Sequence, residues 1–314
     1  MPTNIAKRSP SITVGSEARD ADSIHGGKAF ILHFLAKMSR RFPLLVAWIS
    51  LVSLIATADS EFPAGDGGRS HVQPNLSQLN LVRAIYESEG GMGEAYYAYD
   101  GRMWARWETD FPEGDDNFAR RLAQLTRISV NPTAASRTFL AMDLNDFPLL
   151  YMSDPGYMVM SNEEIEAFRN YLANGGILWV DDFWGDAEWR QFANVMRRVL
   201  PDREWRVLPN DHPIFHIVYD LDEGLPQIPA VSFASIGGET AEPAGAHKYP
   251  AGSLEHPQMR VWADDEGRLM VIATHNTDIG DGWEREAYGD WYFETFSTRA
   301  YMLGVNVVVY AMTH

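Results

Sequence analysis

Residues 147–200 constrain the fold of this chain more than any other stretch, because two apolar runs alternate there with two amphipathic segments. Residues 147–152 and 177–180 are short and apolar, which is typical of buried strands. Residues 161–172 and 186–200 carry apolar side chains at helical spacing. A strand–helix–strand order joins strands that run parallel. The sequence therefore predicts an α/β fold whose sheet is at least partly parallel.

The first of these two helices has a clear beginning and end. Ser161 and Glu164 are spaced as a capping box, in which each side chain accepts a hydrogen bond from the backbone amide of the other residue. Gly175 and Gly176 then end the helix. The buried faces are predicted to consist of Ile165, Phe168, Tyr171 and Leu172 in the first helix, and of Trp189, Phe192, Met196 and Val199 in the second.

The other elements are predicted from shorter patterns. Apolar spacing predicts helices over residues 76–88 and 116–126, and favours a helix over a strand for residues 298–312. Residues 265–267 (DEG) are typical of a hairpin turn. Short apolar runs predict strands at residues 128–130, 139–142, 207–208, 231–233, 260–263 and 269–274.

The segment that begins at Met38 has the order of parts found in secretory signal peptides. Two arginines precede an apolar run over residues 42–56, and Ala56-Thr57-Ala58 matches a cleavage site. The apolar run is shorter than the roughly 20 residues of a membrane-spanning helix. We expect a signal peptide over 38–58 that is cleaved near Ala58, so that the mature chain has no integral membrane span; an uncleaved N-terminal anchor is the alternative.

The signal peptide divides the chain and predicts its location. Residues 1–37 lack periodicity and are interpreted either as lying upstream of a true start at Met38 or as a disordered leader. Residues 59–75 are rich in Gly, Pro, Asp and Ser and predict a flexible linker, followed by one domain over 76–314. The mature protein is expected in the periplasm or cell envelope.

Charge and cysteine content exclude several classes of function. The formal net charge is −17, and loss of the basic leader makes the mature chain more acidic still. The electrostatic field of so acidic a protein disfavours binding to nucleic acids and anionic lipids, and it favours cationic ligands or metal ions. The chain has no Cys, so disulfides, thiolate metal sites and cysteine nucleophiles are excluded.

Polar residues are dense where three predicted strands end, and ligands of parallel sheets bind beyond those ends. Asp154 follows the first strand of the central unit, and Asp181 and Asp182 follow the second. If the strands are neighbours, Asp181, Asp182, Asp278 and Asp281 converge with the adjacent Glu284. They would then bind a divalent cation or divide into a general acid and a base. Helix capping and loop bridging are the structural alternative.

Two histidines and two tryptophans complete the candidate set. His212 and His216 have the i, i+4 spacing of a metal pair, but Pro213 suits a first helical position and would put His212 at the cap. Trp184 and Trp283 lie inside acidic loops, where aromatic rings stack on sugars. The candidate binding residues are Asp181, Asp182, Trp184, His212, His275, Asn276, Asp278, Asp281 and Trp283.

Five longer motifs follow one another along the chain, at residues 107–112 (WETDFP), 175–185 (GGILWVDDFWG), 211–216 (DHPIFH), 275–284 (HNTDIGDGWE) and 310–314 (YAMTH). Together they resemble the bacterial DUF4159 family, from about residue 76 to the end. The resemblance implies a flavodoxin-like, class I glutamine amidotransferase-like fold, which is a three-layer α/β arrangement of a mostly parallel sheet with flanking helices. Amidotransferases of that class use a Cys nucleophile, which this chain lacks, so that activity does not carry over.

The family resemblance also bears on cellular role, although the family is named for its unknown function. Members are often envelope proteins, and some are found near MoxR-type ATPases and von Willebrand A-like proteins, which implies envelope assembly or maintenance by association. We therefore expect an exported, non-catalytic ligand-binding or scaffolding domain with envelope protein partners. The alternative is a carboxylate- or metal-dependent hydrolase acting on envelope saccharide or peptide. It requires at least two members of one set to lie within reach of each other in a concave site: Asp181, Asp182, Asp278, Asp281 and His212.

Overall fold

The computed structural model describes residues 74–91, 94–99, 101–229 and 257–314. The expected leader over 1–37, the signal peptide over 38–58, almost all of the linker and the strand at 231–233 lie outside the described residues. Among the described residues, no helix has both the length and the apolar character needed to cross a membrane.

A seven-stranded sheet forms the centre of the molecule. The strands of the described residues are β1 (Val82–Ile85), β2 (Glu87–Ser88), β3 (Tyr96–Tyr99), β4 (Arg102–Ala105), β5 (Ala135–Thr138), β6 (Leu149–Ser153), β7 (Met158–Val159), β8 (Ile177–Asp181), β9 (Arg206–Val207), β10 (Gln258–Ala263) and β11 (Leu269–His275). In the main sheet the neighbouring strands β5, β1, β6, β8 and β11 run parallel, and β10 and β9 add an antiparallel edge. Pairs β2–β7 and β3–β4 lie outside the main sheet.

The helices cover both faces of this sheet. They are α1 (Glu113–Leu125), α2 (Asn162–Ala173), α3 (Gly185–Val199), α4 (Ile279–Glu284), α5 (Asp290–Tyr292) and α6 (Thr298–Thr313). On one face, Trp179 of β8 contacts Trp283 of α4, with ring centroids 5.3 Å apart. On the other, Trp262 of β10 stacks on Trp189 of α3 at 5.7 Å. The fold is thus a three-layer α/β arrangement, as the sequence predicted.

The central strand–helix–strand unit is confirmed. Strands β6 and β8 pair in parallel, and α2 lies between them in the chain. The capping box is formed, with the Ser161 amide 2.8 Å from Glu164 Oε2 and the Glu164 amide 3.1 Å from Ser161 Oγ. Gly175 follows the helix with a positive φ of 101°, a conformation that favours glycine.

The helix predicted over 76–88 is wrong, because this segment forms the sheet strand β1 and the short strand β2. Leu81, Val82, Arg83 and Ala84 are all buried, so β1 is covered on both faces. A strand of that kind is apolar without alternation and can match helical spacing by chance. Arg83 lies within this strand, and its charge is buried beside Asp115.

Two further strand predictions are displaced. The strand expected at 139–142 lies upstream as β5, and Met142 is fully exposed in a turn. Residues 128–130 contribute only a bridge from Val130 to Leu79. By contrast, the hairpin between β10 and β11 and the helix at the end of the chain are confirmed.

Candidate functional site

Strands β6, β8 and β11 are neighbours and run parallel, so the polar residues that follow them meet at one edge of the sheet. Asp154, Asp182 and Asn276 occupy corresponding positions just after the three strands, and each has a left-handed backbone, with φ of 54°, 53° and 64°. Asp and Asn tolerate this conformation better than other non-glycine residues. We call this region the strand-end edge; Asp110, which also has a positive φ of 62°, joins it from another loop.

Asp181 and Asp182 are adjacent in sequence but have different environments. Asp181 is fully buried and accepts hydrogen bonds from Thr274 Oγ1 at 2.5 Å, from Tyr151 OH at 3.0 Å and from the Gly280 amide at 2.9 Å. Burial raises its pKa to about 6, and these hydrogen bonds offset part of the effect of burial. Asp181 therefore fixes the start of α4 to the sheet, and its oxygens already have partners.

Asp182 belongs to a group of three carboxylates. One oxygen from each of Asp110, Asp182 and Asp278 lies within 4.8 Å of the other two, a spacing that could hold a metal ion. Asp182 Oδ1 accepts from Trp184 Nε1 at 3.0 Å, and Asp278 Oδ1 accepts from the Asp281 amide at 2.7 Å. The pKa of Asp278 is raised well above its ordinary value, first by burial and then by Asp182 and Asp281. We call these three residues the carboxylate triad.

A second group shares Asp110 with the carboxylate triad. Oxygens of Asp110, Asp281 and Glu284 also lie within 4.8 Å of one another. Burial, followed by the charge of Asp281, raises the pKa of Glu284 to about 7. Arg285 offsets part of the negative charge, since its guanidinium lies 3.4 Å from Asp281 and 2.9 Å from Glu284.

Asp110 is the residue that sequence reasoning missed. Its loop is held by the buried Arg83, whose Nη1 donates to the carbonyl oxygens of Trp107 at 3.1 Å and Thr109 at 2.5 Å. Asp110 Oδ2 is buried and has no hydrogen-bond partner in the described part of the chain. Burial, then the charges of Glu284 and Asp281, raises its pKa well above the ordinary value. The only signal was its place in the motif WETDFP, which follows no predicted strand.

His275 and Asn276 stabilise the start of α3. His275 is buried, and its Nε2 lies 3.0 Å from the Gly185 carbonyl oxygen. Asn276 Oδ1 accepts from the Gly185 amide at 2.8 Å. Burial, with the charge of Arg260, lowers the pKa of His275 to about 3, so this ring is neutral at physiological pH.

The two tryptophans selected from the sequence are both buried. Trp184 is fully inaccessible, and Trp283 packs face to face on Phe118 with ring centroids 4.3 Å apart. Neither ring therefore presents a face to solvent on which a sugar could stack. They were selected because their loops are acidic, but these loops fold back into the core.

The histidine pair has structural roles. His212 caps the short 3-10 helix Pro213–Phe215, and its Nδ1 accepts from the Ile214 amide at 3.3 Å. His216 lies 2.9 Å from the Asn210 carbonyl oxygen and 3.3 Å from Asp220. Neither histidine belongs to the groups with metal-ligand spacing found among the described residues.

Comparison with known proteins gives one family and no curated relative. The model of a domain of unknown function, DUF4159, matches residues 95–312. No curated protein matches the chain. The matched region includes β3 to β11 and both carboxylate groups.

Proposed function

We propose that this chain, which belongs to the DUF4159 family, is an exported envelope protein whose domain binds a divalent cation at the carboxylate triad without performing catalysis there. The observation that carries the proposal is the meeting of Asp110, Asp182 and Asp278 from three separate segments. Hard cations such as Ca²⁺ and Mg²⁺ take carboxylate oxygens as ligands.

The electrostatics of the carboxylate triad support a bound cation. Burial raises the pKa values of Asp110 and Asp278, and neighbouring charges raise them further: those of Glu284 and Asp281 for Asp110, and those of Asp182 and Asp281 for Asp278. A cation or shared protons must relieve this cost. Asp110 Oδ2 adds an independent indication, because it is a buried acceptor without a hydrogen-bond partner in the described part of the chain.

The cation proposal is tested by thermal unfolding with a chelator and with added Ca²⁺, Mg²⁺ or Mn²⁺. At a concentration of one hundred times Kd, a cation that binds only the native state adds about 2.7 kcal/mol of stability. For a domain of this size we expect the Tm to rise by about 5–10 °C. No shift with any of the three ions would exclude the site.

Asp182→Asn and Asp110→Asn separate a binding role from a structural one. Each change removes a repelling charge, so we expect the Tm in chelator to stay the same or rise while the cation-induced shift disappears. Asp265→Asn is the matched control, because this carboxylate is exposed and pairs with Arg203. If the Asn variants lose stability in chelator and keep the cation shift, the triad is structural.

Export and envelope partners rest on the signal-peptide pattern that begins at Met38 and on the family resemblance. N-terminal sequencing of the protein from fractionated cells should give a start at Asp59 in the periplasmic or envelope fraction. Recovery of an uncleaved chain in the cytoplasm would contradict export. Crosslinking in the envelope fraction should return the same partner in replicate experiments if the domain is a scaffold.

A carboxylate-dependent hydrolase is a second candidate, favoured by Glu284. Its pKa of about 7 suits a general acid, and Asp281 and Asp110 are close enough to act as partners. This candidate predicts turnover of envelope saccharide or peptide that Glu284→Gln abolishes. If the protein binds the cation but turns over neither substrate class, the hydrolase candidate is excluded and the binding function is supported.

A further inference from the structure

Arg260 of β10 packs against two indole rings that contact each other at the antiparallel edge of the sheet, with ring centroids 5.0 Å apart. Its guanidinium carbon is 4.1 Å from the ring centroid of Trp189 and 4.9 Å from that of Trp205. Trp189 belongs to α3 and is buried, whereas Trp205 precedes β9 and is 38% exposed. Arg260 itself is half-buried, so its guanidinium is covered in part by aromatic surface.

Arg260 has no carboxylate partner among the described residues, although the chain is strongly acidic. Most of the half-buried arginines in the described part of the chain form ion pairs, such as Arg106 with Asp154 and Arg268 with Asp264. Arg260 instead donates from Nε and Nη2 to the neutral Gln258 Oε1, at 2.9 and 2.8 Å. Burial lowers its pKa to about 10, so a charge is held here without full compensation.

The surroundings limit the charge of any anion that could compensate Arg260. His275 pairs opposite Gln258 in the sheet, and its low pKa keeps it neutral. The remaining electrostatic influence on Arg260 comes from Asp186, which is negative. A single guanidinium next to an acid suits a monoanion better than a phosphate dianion, and its planar fork matches a carboxylate.

We propose that Arg260, which packs against the adjoining rings of Trp189 and Trp205, binds the carboxylate of a small monocarboxylic ligand whose apolar or sugar body lies against the exposed part of Trp205. This site is on the opposite sheet face from Trp179 and Trp283 and does not depend on the proposed cation site. It gives the domain a second ligand class, an organic acid, that the carboxylate triad would repel.

Ligand-observed NMR with the mature protein tests the proposal in two arms. Glucuronate represents a sugar acid and N-acetylglycine represents a peptide carboxylate; glucose and N-acetylglycine methylamide are their neutral controls. We expect at least one acid to bind with a millimolar Kd and its neutral control to bind at least tenfold more weakly. Inorganic phosphate should bind more weakly than the acids. No binding by either acid, or equal binding of the neutral controls, would overturn the proposal.

Gln258→Glu is the sharpest variant, because it changes one side-chain group and supplies the missing carboxylate from within the chain. Arg260 would then form an internal ion pair, so we expect an unchanged or higher Tm and loss of ligand binding by at least tenfold. Arg260→Lys keeps the charge but not the fork, and it should also weaken binding by about tenfold. Ligand binding that survives Gln258→Glu in folded protein would show that Arg260 is not the site.

Discussion

Arg83 shows how much a single buried charge contributes to this domain. Its side chain is fully inaccessible and its Nη2 lies 2.5 Å from Asp115 Oδ2. It also contacts the rings of Tyr151 and Phe111. Through its hydrogen bonds to Trp107 and Thr109 it holds the loop that carries Asp110. One residue thereby connects the sheet core to the carboxylate triad.

Arg83→Met should destabilise the protein by about 3–5 kcal/mol, because it leaves Asp115 buried without its counter-charge. Urea unfolding monitored by circular dichroism measures the change. Arg83→Met combined with Asp115→Leu removes both charges and should recover much of the loss. Arg197→Met is the control, since Arg197 is exposed and, within the described part of the chain, hydrogen-bonds to Asn194 alone. A loss below 1 kcal/mol in the single variant would contradict this account.

The residues of the candidate site were only partly accessible to sequence reasoning. Asp182 and Asp278 were predicted because they lie in the polar stretches that follow apolar strands, which is a local pattern. Asp110 was missed because its loop reaches the same edge only through tertiary contacts with Arg83. Trp184 was misjudged for a related reason, since burial depends on how its loop folds.

Among the elements, those with strong local signals were predicted correctly. Helix α2 has both a capping box and a glycine stop, and these interactions form within one segment. Strand β1 has no such signal. Its identity is set by parallel pairing with β5 and β6, which lie far along the chain. Spacing within residues 76–88 could not reveal those partners.

Helix α4 depends on a glycine at its start. A Cβ on Gly280 would lie 2.4 Å from Asp110 Oδ2 and 3.0 Å from Tyr151 OH. We expect Gly280→Ala to move Asp110 out of the carboxylate triad, to cost about 1–3 kcal/mol and to weaken cation binding. Gly91→Ala is the matched control, because nothing lies within 4 Å of its added Cβ. Unchanged cation-induced stabilisation in Gly280→Ala would mean that Asp110 is not a ligand.

For the molecule as a whole, negative charge is unevenly compensated. Arg83 and Arg268 neutralise acids within the fold, whereas the strand-end edge gathers several carboxylates, of which Asp154 pairs with Arg106 and two acids of the second group pair with Arg285. A parallel sheet makes such a concentration possible because several strand ends share one edge. The charge on this edge should therefore control how the stability of the whole domain depends on pH and on cations.

The direction of each pKa shift determines how the free energy of unfolding depends on pH. A carboxyl group with a raised native pKa binds protons in the native state that the unfolded state has lost, so its contribution is full at low pH and declines as pH rises through the native value. Glu284, at about 7, and Asp110 and Asp278, which are raised well above normal, act in this way. The pKa of His275 is lowered to about 3, so its contribution to stability increases with pH, but only below its unfolded pKa of about 6.5.

In chelator, the free energy of unfolding should therefore fall between pH 6.5 and 8. A cation binds the ionised carboxylates, so saturating Ca²⁺ or Mg²⁺ should reduce or reverse this fall. Urea titrations at four pH values in that range measure both curves. His216→Gln is the suitable background, because hydrogen bonding to Asn210, and then to Asp220, raises the pKa of His216 and adds a change of the same sign. In that background, Glu284→Gln should flatten part of the decline in chelator; identical slopes with and without cation would contradict a metal at this edge.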